Sequence, residues 1–553
     1  HLAVTQPSRD TASKNDRDMT HKGEHMMKMQ DMKKAAAKGK MSRRDFVQLS
    51  MAAGFTLVAA KQLYVDTVRA EPKKGGSFRL GSGHGATTDS LDPATWANGF
   101  VGDIGPGILG DTLVEIDQTN SVKPGLAESF ESSPTADRWV FKLRKGVTFH
   151  NGKSLTANDV VASFNHHRGE DTKSAVKSAL KSVKEIKADG TDTVIFELEA
   201  GSADFPYITT DYHLAIFQAN DDGSIAWEKG VGTGAFILED FDQGVSLKAK
   251  RNPNFWGEAY FEDIEMLTLG DVVARSNALI SGDVHYIDRP DLKTLGLLKR
   301  NKNIEIDEVT GFAHYVAPMN TTVAPFDNVD VRTALKHCFK RDEIVNKVLF
   351  GHGTPGNDNP IAPVIKYATQ PEPVHQYDPD KAKFHLKKAG LNSLSIDLSS
   401  SDAAFAGAVD ASLLMKEHAK ACNIDINVVR EANDGYWSNV WMKKPWCFSY
   451  WGGRPTVDWM MTTAYAAGAA WNDTFWKHDR FNELLVAARA EIDEKKRGEM
   501  YTEMQQILHD DGGIMVLMFN NFVTVHSKKL AHGDLNSNYD HDGSYVFRRW
   551  WFA

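Results

Sequence analysis

The chain has 553 residues, with 64 Lys+Arg against 73 Asp+Glu for a formal charge of -9, and is 42% hydrophobic and 25% charged. That length is more than one ordinary domain needs, and the composition is that of a soluble globular protein. The charge is split, with 13 Lys+Arg against 7 Asp+Glu in residues 1–70 and 51 against 66 in the remainder, so the body is a poor partner for nucleic acid or an anionic membrane.

Residues 1–40 are polar and poor in large apolar side chains; a disordered extension is expected there. Residues 41–70 read as a twin-arginine export signal. Arg43-Arg44 lead the apolar run Leu49 to Ala60, and Val68-Arg69-Ala70 sets a small residue before Glu71. The competing reading is a short buried helix behind a chance arginine pair. The run is too short to span a bilayer.

From Gly75 short apolar strands alternate with amphipathic helices. Strands are expected at Ser77–Leu80, Trp139–Leu143, Val147–Phe149, Thr193–Leu198 and Val245–Lys250, the last closed by Arg251-Asn252-Pro253. Asn151-Gly152 is a two-residue turn signal, and Thr156 with Asp159 three residues on marks a helix start. Helices are expected over Val329–Phe350 and Arg480–Asp511, the second with an apolar stripe of Phe481, Leu484, Leu485, Ala488 and Ile492. Ile514–Phe519 reads as a buried strand. The alternation on both sides of the middle predicts an α/β protein of two lobes, with the chain crossing near Gly311–Asn320 and returning near Phe519–Phe522.

Reaction motifs are absent: there is no His-Glu-x-x-His and no Gly-x-Ser-x-Gly. Gly146 with Gly152-Lys153-Ser154 is one residue too long for a phosphate loop. Asn538, Asp540, Asp542 and Gly543 imitate a calcium loop, but its twelfth position falls on Arg549, so a surface turn is expected. His166-His167 point to different faces of a helix. The three cysteines, Cys338, Cys422 and Cys447, lack metal-ligand spacing; one pair could bridge in an oxidising compartment, or all three could be buried thiols. No metal or cofactor is expected.

An ordered set of turn and strand residues carries a resemblance. Leu91-Asp92-Pro93, Pro124-Gly-Leu-Ala-Glu128, Phe141-Lys-Leu-Arg-Lys-Gly146, Phe149-His-Asn-Gly152 and Leu155-Thr-Ala-Asn-Asp159-Val160 come first. Gly232-Thr-Gly234, Arg251-Asn252-Pro253, Met319-Asn320-Thr321, Pro325-Phe326 and Val331-Arg332 follow. The chain resembles the peptide-type solute-binding proteins of bacterial ABC importers, family 5, which include dipeptide, oligopeptide, nickel, glutathione and opine binders. The resemblance covers roughly residues 75–550. It implies a type II periplasmic-binding-protein clamshell that closes on ligand by hinge motion. Lobe one is expected at 71–108, 229–311 and 520–553, with an extra α/β subdomain at 109–228, and lobe two at 312–519. It also implies a periplasmic location, an inner-membrane ABC permease as partner, and a monomer.

The sharpest ligand signal is Tyr450-Trp451-Gly452-Gly453-Arg454-Pro455-Thr456-Val457-Asp458-Trp459. The glycines admit close backbone approach, Trp451 offers a wall, and the Arg454 fork matches a carboxylate or phosphate. In the peptide-binding relatives this segment is Trp-x-x-Asp, and that Asp holds the peptide's amino terminus; here Arg454 stands in its place. The reversed sign implies a solute with an anionic group, unless Arg454 instead pairs with Asp458 four residues on. His84, Thr87 and Asp89 follow the first strand, at a position that opens on the cleft in relatives; His314 and Tyr315 lie near the crossing, at the cleft or as hinge packing, and Tyr436 and Trp437 reach either the cleft or the core. The function expected is capture of a peptide-like, amino-acid-derived solute for import; alternatives are a receptor reporting the solute to a signalling partner, or a twin-arginine-exported enzyme.

Overall fold

A computed structural model describes residues 72–491 and 493–553, together with 32, 41–53, 56 and 57. Residues 74–530 and 534–550 form one compact unit. Outside it, the helix Arg43–Ala52 is capped by Ser42, whose hydroxyl accepts from the Asp45 N–H at 3.2 Å. The expected cleavage site at 68–71, part of the apolar run before it, and Ile492 lie outside the described residues.

A nine-stranded mixed sheet organises the compact unit. Ser77–Ser82 sits near its middle, parallel to Asp263–Thr268 on one side and to Tyr286–Ile287 on the other. Ser246–Arg251 and Phe236–Asp242 extend it antiparallel. Two long strands, Ile304–Val316 and Val516–Ser527, continue it the other way, and the short strand Ser449–Trp451 ends it. Their antiparallel ladder runs from Ile304 opposite Ser527 to Val316 opposite Val516, and shifts register between Tyr315 and Val316 and, more widely, between Thr310 and His314. There residues 311–313 oppose the single residue Asn520, since Thr310 faces Asn521 and His314 faces Phe519. An interruption of this kind bends a strand and breaks its pairing locally. It falls where the sequence places both chain crossings, so the crossings are two neighbouring strands of one sheet.

Separate apolar cores lie on either side. One cluster gathers Leu279, Val284, Ile287, Ile304, Val523 and Val525. Beyond the interruption, the parallel pair Leu394–Ser400 and Ile424–Arg430 and its helices bury Leu335, Phe339, Leu398, Met415 and Phe448. A second cluster there holds Val457, Met460, Phe481, Leu484, Leu485 and Ala488. A four-stranded antiparallel sheet of Ala127–Ser132, Arg138–Leu143, Thr193–Leu198 and Val183–Asp189 has its own core around Phe141, Phe164 and Phe196. Its helix Ala157–His166 starts as the sequence predicts: the Asp159 carboxylate accepts from the Thr156 N–H and hydroxyl at 2.8 and 2.7 Å.

Several elements differ from expectation. Val147–Phe149 is no strand; Thr148 makes one isolated bridge to Ser154. The expected helix 329–350 is two, Val329–Lys336 and Arg341–Val348, because the break at 337–340 turns Cys338 and Phe339 into the core, where both are fully buried. The expected helix 480–511 is also two, Asp479–Ala490 and Glu494–Asp511. Asp493 caps the second by accepting from the Lys496 N–H at 2.9 Å, an N-terminal signal hidden inside a continuous amphipathic pattern. The strand expected at 514–519 begins at Val516 and runs on to Ser527, well past Phe519. All three cysteines are buried free thiols.

Candidate ligand-binding cleft

A cavity of about 160 Å³ opens where the two long strands pass between the cores. Aromatic rings dominate its wall. Trp437, Trp441, Tyr450, Trp451 and Trp471 line it together with Tyr212, Phe522 and Tyr539. Trp437 lies 5.8 Å from Trp441 and 5.4 Å from Tyr450 between ring centroids, and Trp471 lies 5.9 Å from both Trp441 and Trp451. Behind them Asp473 accepts from the Trp441 indole N–H at 3.1 Å. Burial pushes the Asp473 carboxyl up to about 7 against the opposing indole contacts.

Arg454 lines this cavity at 4% exposure. One guanidinium N–H donates to the Gly453 carbonyl at 2.7 Å, and Nε has no acceptor. The guanidinium carbon lies 5.5 Å from the Trp459 ring centroid and 6.0 Å from that of Tyr539. The alternative pairing with Asp458 does not occur. Asp458 is held instead by Arg489, at 3.0 Å, which also donates to the Thr462 hydroxyl at 2.7 Å. Among the described residues no carboxylate comes within ion-pair distance of Arg454. Burial disfavours its charge, but the Tyr539 phenol and the Asp211 carboxylate outweigh this and keep the guanidinium protonated. A buried cation with open donors is costly unless something supplies acceptors.

The opposite wall is charged but balanced. Arg289, in the left-handed region at φ 44°, donates to Asp540 at 2.7 Å and lies 4.8 Å over the Tyr450 ring. Asp540 begins a segment in which His541, Asp542, Gly543 and Ser544 all have positive φ, between 55° and 69°. Three of these four are not glycine, a conformation costing roughly 1–3 kcal/mol each and concentrated at functional sites. Side chains hold it in place. His541 bonds Asp103 and lies 3.2 Å from Asp288, and Asp542 accepts from the Asn536 N–H at 2.7 Å and from Trp550 at 3.2 Å. Burial opposes protonation of His541, but Asp103 and Asp288 outweigh it and hold its pKa well above the usual value. The stretch 538–543 is therefore not the surface turn its acidic composition suggests; it is largely buried, with Tyr539 and Asp540 lining the cavity.

Of the residues singled out in the sequence, Trp451, Gly452 and Arg454 line the cavity. Gly453 does not: at φ +84° it packs on the bulged strand, where a Cβ would lie 2.2 Å from that of Phe312. Tyr436 points into the core and donates to the Phe448 carbonyl at 2.8 Å, leaving the cleft to its neighbour Trp437. His314 is buried against Phe519, its Nδ1 2.9 Å from the Phe312 carbonyl. His84 sits behind Tyr450 and accepts from the Gly99 N–H at 2.9 Å. Thr87 is exposed, and Asp89 ties its own loop by accepting from Ala86 and Asn98, both at 2.8 Å. Sequence reasoning missed Arg289, the cleft position of Asp540, and the tryptophans at 441 and 471. The density of tryptophan between 437 and 471 was the available signal.

Ion pairs bridge the parts that flank the cavity. Arg497, on the helix Glu494–Asp511, meets Asp204 at 2.6 Å with side chains 8% and 19% exposed, and Lys293 meets Asp410 at 2.7 Å in solvent.

Residues 121–473 match the model of bacterial extracellular solute-binding proteins, family 5. The dipeptide-binding protein of Escherichia coli K12 is 25% identical over 78% of this chain and 87% of its own length. Glutathione-binding protein GsiB of Escherichia coli O6:K15:H31 is 25% identical over 76% and 85%. Solved structures share the fold. The periplasmic binding protein DppA from Helicobacter pylori with peptide STSA superposes with a TM-score of 0.78 at 24% identity, over 87% of this chain and 98% of that one. AgaA with agropinic acid, from A. tumefacien R10, gives 0.78 at 20% identity, over 86% and 99%. With its two-lobed α/β architecture and the match over most of its length, the chain belongs to the bacterial extracellular solute-binding proteins of family 5.

Proposed function

We propose that this protein is the substrate-binding component of an ABC importer, capturing a small peptide-like, amino-acid-derived solute by an anionic group and delivering it to a membrane permease without transforming it. The observation that carries this reading is Arg454, a buried guanidinium on the cleft wall with open donors and no carboxylate partner. A ligand carboxylate would supply the missing acceptors, with a geometry that the planar fork favours. The names of the relatives support the solute class, since dipeptides, glutathione and agropinic acid are all amino-acid-derived. The Arg43-Arg44 segment supports export by the twin-arginine route to the periplasm, where the protein acts as a monomer. Capture proceeds through lobe closure, and the solute must favour the closed form to shift that population.

Native mass spectrometry of the protein purified without added ligand, followed by calorimetry with the released solute, tests the reading. An anionic amino-acid derivative binding with 1:1 stoichiometry is expected. A solute with no anionic group, or one consumed over time, refutes it.

A further inference from the structure

The half-buried indoles of the cleft define more than a generic wall. Trp437, Trp441 and Trp471 pack edge to face with one another or with Trp451, and each turns part of its ring to the cavity. Tyr212 and Tyr539, 5.8 Å apart and edge-on, line the same cavity. Rings placed in this way reward another ring through stacking and edge contacts beyond simple burial. The cavity's 160 Å³ is close to the roughly 150 Å³ that accommodates a benzene molecule. Trp451 and Arg454 are three residues apart on one segment, so both features address adjacent groups of one small molecule. The charge balance also limits the solute. Arg289 is taken by Asp540 and His352 by Glu308, which leaves Arg454 as the one cation without a carboxylate partner among the described cavity-lining residues.

Building on the function proposed above, we infer that the solute is a small monocarboxylate bearing an aromatic ring, with its carboxylate on Arg454 and its ring against the indole wall headed by Trp437. A long peptide or a compact aliphatic acid would leave the indole faces without a partner.

Three dipeptide probes separate the parts of this inference, measured by calorimetry on the full chain after dialysis has removed any co-purified solute. L-alanyl-L-phenylalanine carries acid and ring, L-alanyl-L-alanine the acid alone, and L-alanyl-L-phenylalaninamide the ring alone. The first is expected to bind at least tenfold tighter than either of the others. Trp437→Ala should abolish the preference for the first over the second, and Trp437→Phe should restore part of it. Equal binding of the first two probes, or a preference that survives Trp437→Ala, overturns the ring while leaving the anionic reading intact. Equal binding of the amide and the acid overturns the anionic reading itself. If no probe binds, the aromatic monocarboxylate is overturned, and the co-purified solute still decides the proposed function.

Discussion

Arg454→Met separates ligand recognition from structure because the two roles predict different outcomes. Methionine keeps an unbranched stem of similar reach, so the contacts with Trp459 and Tyr539 lose the charge and little of the packing. The charge-assisted hydrogen bond to a ligand carboxylate is worth about 1.5–3 kcal/mol, which at ~1.4 kcal/mol per tenfold weakens binding roughly 10- to 150-fold. The ligand-free fold should respond differently. Arg454 is 4% exposed and its only acceptor is the adjacent Gly453 carbonyl. Removing it relieves a desolvation cost, forgoes the attraction of Tyr539 and Asp211 and breaks no ion pair, so the melting temperature of the stripped protein changes little. If the arginine were a structural partner, its loss would destabilise the fold by about 3–5 kcal/mol and leave affinity alone. Calorimetry with the released solute and a thermal melt of the stripped protein read both quantities. An affinity within twofold of the parent, or a clear fall in the ligand-free melting temperature, refutes the reasoning.

Asp204→Asn removes one half of the partly buried pair with Arg497, whose contact spans the cleft; solute dissociation followed by stopped-flow tryptophan fluorescence should quicken several-fold, and an unchanged rate would assign the pair no part in closure. Asp458→Asn strands the Arg489 charge and should cost about 3–5 kcal/mol in urea unfolding, as breaking a buried ion pair does; a loss under 1 kcal/mol counts against it. Asp473 titrates near 7 in the folded protein against an ordinary 3.8, so folding takes up a proton between those values. The stability of the protonated form is complete at low pH and is lost as pH rises from about 4 to about 7. Asn cannot ionise and can still accept from Trp441, so the stability of Asp473→Asn relative to the parent should climb across that window and then level. A difference that stays flat with pH would show that the carboxyl is not held neutral.

The segment 450–459 was legible because its information is local: glycines, an indole and an arginine lie within a few residues of one another. Neighbouring choices failed for lack of phase. Tyr436 and Trp437 are equally aromatic, and only the short helix Tyr436–Asn439 decides which one enters the core. His314 is sealed inside while its neighbours Ala313 and Tyr315 line the cavity, and the irregular pairing at 311–313 leaves that phase unreadable along the chain. Arg289 and Asp540 are 251 residues apart in sequence, so their pairing leaves no local trace. The turn 538–543 misled for a different reason: Asn, Asp and Gly favour positive φ wherever it is needed, at a solvent-facing turn or in a strained, buried wall alike.

The single ladder formed by Ile304–Val316 and Val516–Ser527 has a mechanical consequence. Two separate tethers would let the halves slide, twist and part independently, whereas adjacent strands stitched by backbone hydrogen bonds resist all but flexion at the wider of their two register shifts, Thr310 to His314. At that step Gly311 lies so near the Phe522 ring that an added Cβ would sit 2.4 Å from it, which narrows the permitted sweep further. The molecule is then a caliper: the bulk of whatever it holds becomes an angle, and that angle is available to anything that reads its outer surface.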